Sequence, residues 1–494
     1  MRTLRVAFKT LGCKLNQLET ESVAEAFLQV GAVLVSPEEA ADLFVVNTCT
    51  VTSKAEQKAR RVMRQALAHN PAAVVLATGC YAQMDPLALA QLDPRIIVLP
   101  GEEKSSLLAL ATWLQDNWQG HGPLFDAVAE WRSVGATTSA ADAASAISIA
   151  GVRKDSCADS STVDPTRGTL AVPKGAADPF AYHPSLFAFH SRPSLKIQDG
   201  CNNRCSYCRV CLARGPSVSL PSAQVLERVR TLEASGVAEV VLIGVNLSQY
   251  KDESTGFAGL LHLLAAGTQS IRFRISSYEP DRVDEAFLEA FALPRVQPHI
   301  HLALQSGSST VLRRMARPYN AEKAAQAVQA LRKTRSDPFI AADIIAGFPG
   351  ETDAEFQETL TFCRAADFTW IHAFPFSARP GTRAYDMRPK IPERIAGERV
   401  ALLTELAHLG KSRYVQRWIG SEVDCVLERG QEDDSPSNLE STSSNYLKLL
   451  VQGLPPEARP GASARARLTA PCDLPGFDAL AKFLPVLPPN HRYM

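Results

Sequence analysis

The segment SLKIQDGCNNRCSYC constrains this chain most. It places Cys201, Cys205 and Cys208 at C-x3-C-x2-C spacing, directly after a strand-like run. Three thiolates on one short loop can each hold one iron of a cubane cluster, which leaves the fourth iron open to a substrate or cofactor. A structural zinc site wants four closed ligands, and Cys211 would supply the fourth through a further C-x2-C step. Apolar runs at Leu195–Ile197, Val240–Ile243, Ile271–Ile275, Ile300–Leu304, Phe339–Ala346 and Trp370–Phe376 follow. Helical patterns such as Ser222–Ala234 and Ala321–Lys333 separate them, and Thr352 with Glu355 has capping-box spacing. Six βα units in one stretch predict an open or partial parallel barrel.

Residues 1–116 carry the same alternation. Runs at Leu4–Phe8, Leu43–Val46, Val74–Ala77 and Ile96–Leu99 flank helical patterns at Leu15–Val30 and Ser53–Ala68. Ser53 and Glu56 have capping-box spacing at the second helix start. A parallel sheet is expected. Cys13, Cys49 and Cys80 each closely follow a predicted strand. Carboxyl ends of parallel strands share one edge, where ligands bind, so three distant cysteines can converge there. A free cysteine is often only a small buried hydrophobe. Three at equivalent places, two of them preceded by glycine, favour a second cluster with three protein ligands.

The 494 residues suggest two to four domains, and 46% hydrophobic with 21% charged residues exclude disorder as the dominant state. No uninterrupted apolar run reaches roughly 18 residues, so no membrane span is expected. The N-terminus carries a charge inside its only apolar stretch and does not read as a signal peptide, which points to the cytoplasm. Eleven cysteines, an odd count, argue against a disulfide framework. Residues 117–190 are low in complexity and read as a linker or insertion. Cys157 inside it, with Cys363, Cys425 and Cys472, reads as incidental or buried. From about Gly420 to 488, short alternating segments predict a small all-β module, and PVLPPNHRYM a tail.

With zero net charge, RNA contact needs a local basic patch. Candidates are Lys54, Lys58, Arg60, Arg61 and Arg64 after Cys49, and Arg313, Arg314 and Arg317 after the Gln305 strand, each weighed against a merely solvated face. The all-β module is acidic around Glu432, Asp433 and Asp434, so only Arg465 and Arg467 are candidates there.

The Cys201 loop, with an aromatic residue before its last cysteine and six βα units behind it, resembles the radical S-adenosylmethionine (SAM) superfamily. With TLGCKLNQLETE, VNTCTVTSKAEQKAR, TGCYAQ and PHIHLALQSGSSTVLRRM, the whole chain resembles the methylthiotransferase family. Its motifs are most like the MtaB type, which acts on threonylcarbamoyladenosine in tRNA. The MiaB type, which acts on isopentenyladenosine, more typically shows GCQMN in the first motif.

The resemblance implies an α/β chain of three parts: a parallel α/β methylthiotransferase domain (1–116), a partial (β/α)6 radical SAM barrel (191–417) and an all-β TRAM barrel (418–488). It implies two [4Fe-4S] clusters, one on Cys13, Cys49 and Cys80, the other on Cys201, Cys205 and Cys208. The first would hold or supply sulfur, which one SAM methylates. The second would cleave another SAM, and the radical would attack adenine C-2 of the modified nucleoside at tRNA position 37. Implied partners are that tRNA, a source of sulfur and an electron donor such as a flavodoxin or ferredoxin.

Three departures from the family stand out: Cys211 where proline is usual, Ala303 where proline is common, and a missing basic residue near Arg214, Gly215 and Pro216. Further candidates at strand ends are Gly244, Val245, Asn246, Gln249, Ser276, Ser277, Glu279, Gln305, Ser306, Gly307 and Asp343. Gly347, Pro349 and Gly350 would let backbone approach a ligand, and Glu351 would support the next helix start. The rival readings are the isopentenyladenosine enzyme, the branch acting on an aspartate of a ribosomal protein, and a noncatalytic iron–sulfur or zinc RNA-binding protein.

Overall fold

The computed structural model describes residues 3–118, 120–133, 178–185, 187–253, 255–429 and 438–485. Cys157, most of the expected linker, Glu432, Asp433, Asp434 and the C-terminal tail lie outside them. Within the expected linker, 124–133 is helical. Two compact units form: positions 1–10, 26–48 and 58–181 make the first, and 11–25, 49–57 and 182–494 the second. The segments carrying Cys13 and Cys49 therefore belong to the second unit, and Cys80 to the first.

The first unit holds a parallel sheet of β1 (Arg5–Thr10), β2 (Val33–Val35), β3 (Leu43–Thr48), β4 (Val74–Gly79) and β5 (Ile96–Val98), in the order β2-β1-β3-β4-β5. Sequence periodicity misses β2, which has three residues and is partly exposed. The central strands β3 and β4 are buried at every position, as fits strands covered on both faces. Two helices run across the unit boundary, α1 (Lys14–Gln29) and α2 (Ser53–His69). Helix α2 buries Ala59, Met63, Ala66 and Leu67, a stripe at helical spacing. The expected capping box at its start does not form. The Ser53 N–H donates to Ser377 Oγ at 3.0 Å, and the Glu56 carboxylate accepts from Thr50 and Arg379. Ala55 N–H is capped by Thr52 Oγ1 at 3.1 Å.

In the second unit, β6 (Ser194–Lys196) leads into a short hairpin of β7 (Gln198–Asp199) and β8 (Val218–Ser219). Strand β9 (Glu239–Ile243) follows, then a hairpin of β10 (Lys251–Asp252) and β11 (Thr255–Gly256), then β12 (Arg272–Ile275). Next come β13 (His299–Gln305), β14 (Phe339–Ala346) and β15 (Trp370–Pro375). The long strands form two parallel triplets, β6-β9-β12 and β13-β14-β15, joined by parallel bridges Phe273–Val296 and Tyr278–Leu302. These are the six expected strands. The expected capping box of Thr352 and Glu355 forms at helix Asp353–Ala366.

The C-terminal strands β16 (Glu422–Leu427), β17 (Asn438–Ser443), β18 (Lys448–Gln452), β19 (Ser463–Pro471) and β20 (Ala479–Leu484) close a barrel. The chain turns between β17 and β18, with Tyr446 at φ +68°. Among the described residues no helix is long and apolar enough to cross a membrane.

A buried ionic joint links the small barrel to the six-stranded one. Arg274 donates to Glu239 at 2.6 and 2.8 Å, and to the carbonyls of Ser443 and Ser444 at 3.0 and 3.1 Å. Gln297 and Arg192 also donate to Glu239, at 2.6 and 3.3 Å. Burial pushes the Glu239 carboxyl up, but Arg274, Arg192 and Gln297 outweigh it and bring it down to about 2. A carboxyl lowered by folding stabilises above its ordinary value of 4.5, and loses that contribution as pH falls toward about 2. Glu239→Gln is expected to cost about 3–5 kcal/mol at neutral pH, because it strands a buried guanidinium. It should also flatten the acid limb between those two pH values. Denaturant titration of both proteins across pH checks it; an unchanged acid limb contradicts it.

Candidate active site

The cysteine loop is the turn of the β7–β8 hairpin. Its base is closed by Cys201 N–H donating to Gly215 O at 3.1 Å. Charges brace it from below. Asp199 accepts from Arg214 at 3.1 and 3.2 Å and from Lys196 at 2.5 Å, and Glu19 of α1 accepts from Lys196 at 3.2 Å and Arg214 at 3.1 Å. Burial raises the Asp199 carboxyl, but Arg214 and Lys196 overcome this and hold it below its ordinary value. Buried Gln198 gives its amide N–H groups to Asp199 O, Gly200 O and Ser217 Oγ, and takes the Asn246 N–H on its Oε1 at 2.8 Å. Gly200 has φ +67°, and a Cβ there would lie 1.9 Å from Pro216 O, so only glycine fits.

Each of the three thiols has an N–H donor. Asn203 N–H points at Cys201 Sγ (3.4 Å), Val210 N–H at Cys208 Sγ (3.4 Å) and Arg317 at Cys205 Sγ (3.1 Å). Such donors suit metal-bound thiolates, whose sulfurs carry charge. Burial pushes the Cys208 thiol up to about 12 and raises Cys201 as well. A metal that takes these two thiols as thiolates has to offset that cost. Among the described residues, no three His, Cys, Asp or Glu side chains gather tightly enough for a single ion.

The thiols open onto a cavity of about 370 Å³ within the second unit, whose lining also includes Cys211, Val245, Asn246, Ser277, Glu279, Gln305 and Asp343. Thr50, Val51 and Thr52, directly after Cys49, line the same cavity. Most of the strand-end candidates thus meet in one place. Others hold the frame. Gly244 packs on Gln198, Gln249 hydrogen-bonds Asn202 and Asn203, Ser306 pairs with Thr359, and Gly307 packs on Phe362. Ser276 is buried.

The role expected for Gly347 is corrected. A Cβ on Gly347 would meet Ala396 Cβ at 2.6 Å, so this glycine serves packing on helix Glu393–Trp418. Glu351 is a buried ion-pair partner of Arg399 at 2.6 Å and not only a helix-start charge. Arg317 is likewise not an RNA-facing cation: its side chain is 3% exposed and bonded to Glu279 and Cys205. Arg314 pairs with Glu355 at 2.8 Å, and Arg313 is exposed. On α2, Lys54, Lys58, Arg61 and Arg64 are exposed, while Arg60 donates to Tyr81 Oη at 2.6 Å. Arg465 and Arg467 are exposed on β19 and pair with Glu422 at 3.0 and 2.6 Å.

Of the other cysteine set, Cys13 and Cys49 meet through a glycine. Gly12 has φ +102°, and a Cβ there would lie 2.8 Å from Cys49 Cβ and 2.9 Å from its Sγ. Val51 N–H points at Cys49 Sγ at 3.5 Å. In the first unit, Cys80 opens a short helix after Gly79, whose φ is +97°. A Cβ on Gly79 would lie 2.4 Å from Thr48 O, its register partner on β3. Cys363 and Cys425 are buried and Cys472 half-buried, as expected for structural thiols.

Known proteins resemble this chain in sequence. Residues 5–101 match the family model described as "Uncharacterized protein family UPF0004", and 195–363 the radical SAM superfamily. A threonylcarbamoyladenosine tRNA methylthiotransferase MtaB of Treponema pallidum is 44% identical over 90% of this chain and 94% of its own. The chain belongs to the MtaB family of radical SAM methylthiotransferases. The Aquifex aeolicus member is 33% identical over 86% of this chain and 93% of its own. A tRNA-2-methylthio-N(6)-dimethylallyladenosine synthase of Cereibacter sphaeroides is 28% identical over 94% of this chain and 96% of its own.

Sequence reasoning missed Gln198, Asn203 and the Arg317–Cys205 contact. Only tertiary closure reveals them, because nothing local marks a buried glutamine or a distant arginine as part of a metal loop. Gly200→Ala is expected to leave helix content intact yet cut iron bound after anaerobic reconstitution by at least about half, since the loop cannot close. Iron analysis with circular dichroism checks it; full iron loading contradicts it.

Proposed function

We propose that this chain is the tRNA methylthiotransferase that converts N6-threonylcarbamoyladenosine at position 37 to its 2-methylthio form. In this reading one [4Fe-4S] cluster sits on Cys201, Cys205 and Cys208, and a second on Cys13, Cys49 and Cys80. The observation that carries it is the cavity itself: the three thiols of the radical SAM loop and the residues directly after Cys49 line one space. The segment directly after Cys49 would therefore face a nucleoside bound in that cavity. When bound, the reduced cluster on the loop supplies the electron that splits SAM into methionine and a deoxyadenosyl radical.

The remaining work falls to side chains. Glu279 and Asp343 put carboxylates in the cavity wall, which suits the ammonium and sulfonium charges of SAM. Arg317 fixes Glu279 and gives a hydrogen bond to Cys205. Asn246 and Asn203 donate to Glu279 Oε1 at 3.4 and 3.3 Å, holding it toward the loop. The apolar part of the lining, with Val245, Ile345, Phe374 and Phe376, limits water near a radical formed there.

The domain reading extends this division: 1–116 and 191–417 supply the cluster motifs, and 418–488 is assigned as a TRAM-type RNA module. Exposed Arg465 and Arg467 are its candidate phosphate contacts. A reductant such as a flavodoxin or ferredoxin and a sulfur source complete the system, which would act in the cytoplasm, where tRNA is modified.

The two cysteine sets should fail differently. Cys205→Ala is expected to abolish reductive SAM cleavage and product together. Cys49→Ala is expected to keep measurable deoxyadenosine formation while losing methylthiolation. Chromatography of both products from reconstituted protein checks this; unchanged methylthiolation in either variant contradicts it.

A further inference from the structure

The threonylcarbamoyl group ends in a carboxylate, ionised at neutral pH, whereas a dimethylallyl group carries no charge. A cavity that accepts the first gains by offering a cation, because a carboxylate removed from water without a charged or hydrogen-bonded partner is costly. Two cations line the cavity, Arg209 and Arg317. Arg317 is committed to Glu279, Cys205 and Ala303 O. Arg209 directly follows Cys208 on the cysteine loop and lines the cavity with Thr50, Thr52 and Ser377. It reaches Thr50 Oγ1 at 3.4 Å and Glu56 Oε1 at 3.5 Å. Arg379 reaches the same two groups and is 3% exposed. Two guanidinium groups, one carboxylate and one hydroxyl thus meet beside the cavity.

We propose that Arg209, positioned by Glu56 and Arg379, is the residue that reads the carboxylate of the N6 substituent. The inference rests on the threonylcarbamoyladenosine reading above and adds the residue that distinguishes an anionic from a neutral substituent. In the free protein, Glu56 occupies the place that the substrate carboxylate takes in part. The guanidinium can form paired N–H bonds to an entering carboxylate, a geometry that lysine reproduces only as a point charge. A base bound in this cavity with C-2 toward the thiols has its N6 substituent in the same space as Arg209.

The test uses reconstituted full-length protein and two synthetic anticodon stem-loops. One carries threonylcarbamoyladenosine and the other its methyl ester, which removes the charge and adds one methyl group. The parent is expected to favour the acid over the ester in KM by about ten- to a hundredfold, the range of one charge-assisted pair. Arg209→Gln is expected to erase that preference, and Arg209→Lys to restore part of it. Iron content and deoxyadenosine formation without RNA report on the neighbouring cluster. Glu56→Gln supplies an independent arm: it should lower KM for the acid and leave the ester unchanged. Arg209→Gln with normal iron and an intact preference overturns the proposal. So does Glu56→Gln shifting both substrates equally, whatever the iron content of the Arg209 variant. A parent that modifies neither stem-loop fails the functional reading itself.

Discussion

A buried four-charge lock under the cysteine loop is the constraint on which the rest of the site depends. Asp199 stands just before the loop and Arg214 just after it, and they bond each other at 3.1 Å. Lys196 and Glu19 complete the set, with Lys196 only 1% exposed. Burying such charges costs several kcal/mol per ion unless each is paired and hydrogen-bonded. Here each cation meets two carboxylates, which satisfies that condition. The return is geometric: the two ends of a loop with little regular structure are held at a fixed separation. Only then can Gly200 press against Pro216 and three sulfurs face one cavity.

Glu19 gives the lock a second consequence. It lies on α1, five residues after Lys14 and six after Cys13, so the element that carries the first cysteine motif also supplies a charge beneath the second. Gly12 and Cys49 then pack together in the same unit, and the residues after Cys49 reach the cavity wall. Two cysteine motifs far apart in sequence are therefore tied by a helix and an ion pair. The small barrel is tied in by the same kind of interaction, with Arg274 joining Glu239 to the Ser443 and Ser444 carbonyls.

Much of this was legible in the sequence, for physical reasons. The six strands of the larger barrel read correctly because buried parallel strands are nearly continuous apolar runs. The loop cysteines read because metal chemistry demands particular spacings. Glu279, Gln305 and Asp343 read because strand ends in such barrels carry function. What failed is what depends on partners remote in sequence. Ser53 and Glu56 have the spacing of a capping box, yet Glu56 is drawn to Arg379, more than three hundred positions away. Arg317 sits in a basic run that suggested phosphate contact, but folding turns it inward to Cys205. Gly347 resembled a ligand-facing glycine, and its neighbour is Ala396. A local pattern states what a residue can do, and tertiary closure decides which option is used.

In the proposed function, this radical SAM site installs a methylthio group on threonylcarbamoyladenosine in tRNA. Mass spectrometry of total tRNA nucleosides, from cells lacking the gene and from the same cells with it restored, tests that most directly. The expected result is that 2-methylthio-threonylcarbamoyladenosine disappears and returns with the gene, while its unmethylthiolated precursor accumulates and declines. An unchanged level of that nucleoside would contradict the account, and loss of the isopentenyl counterpart in its place would keep the chemistry and move the substrate.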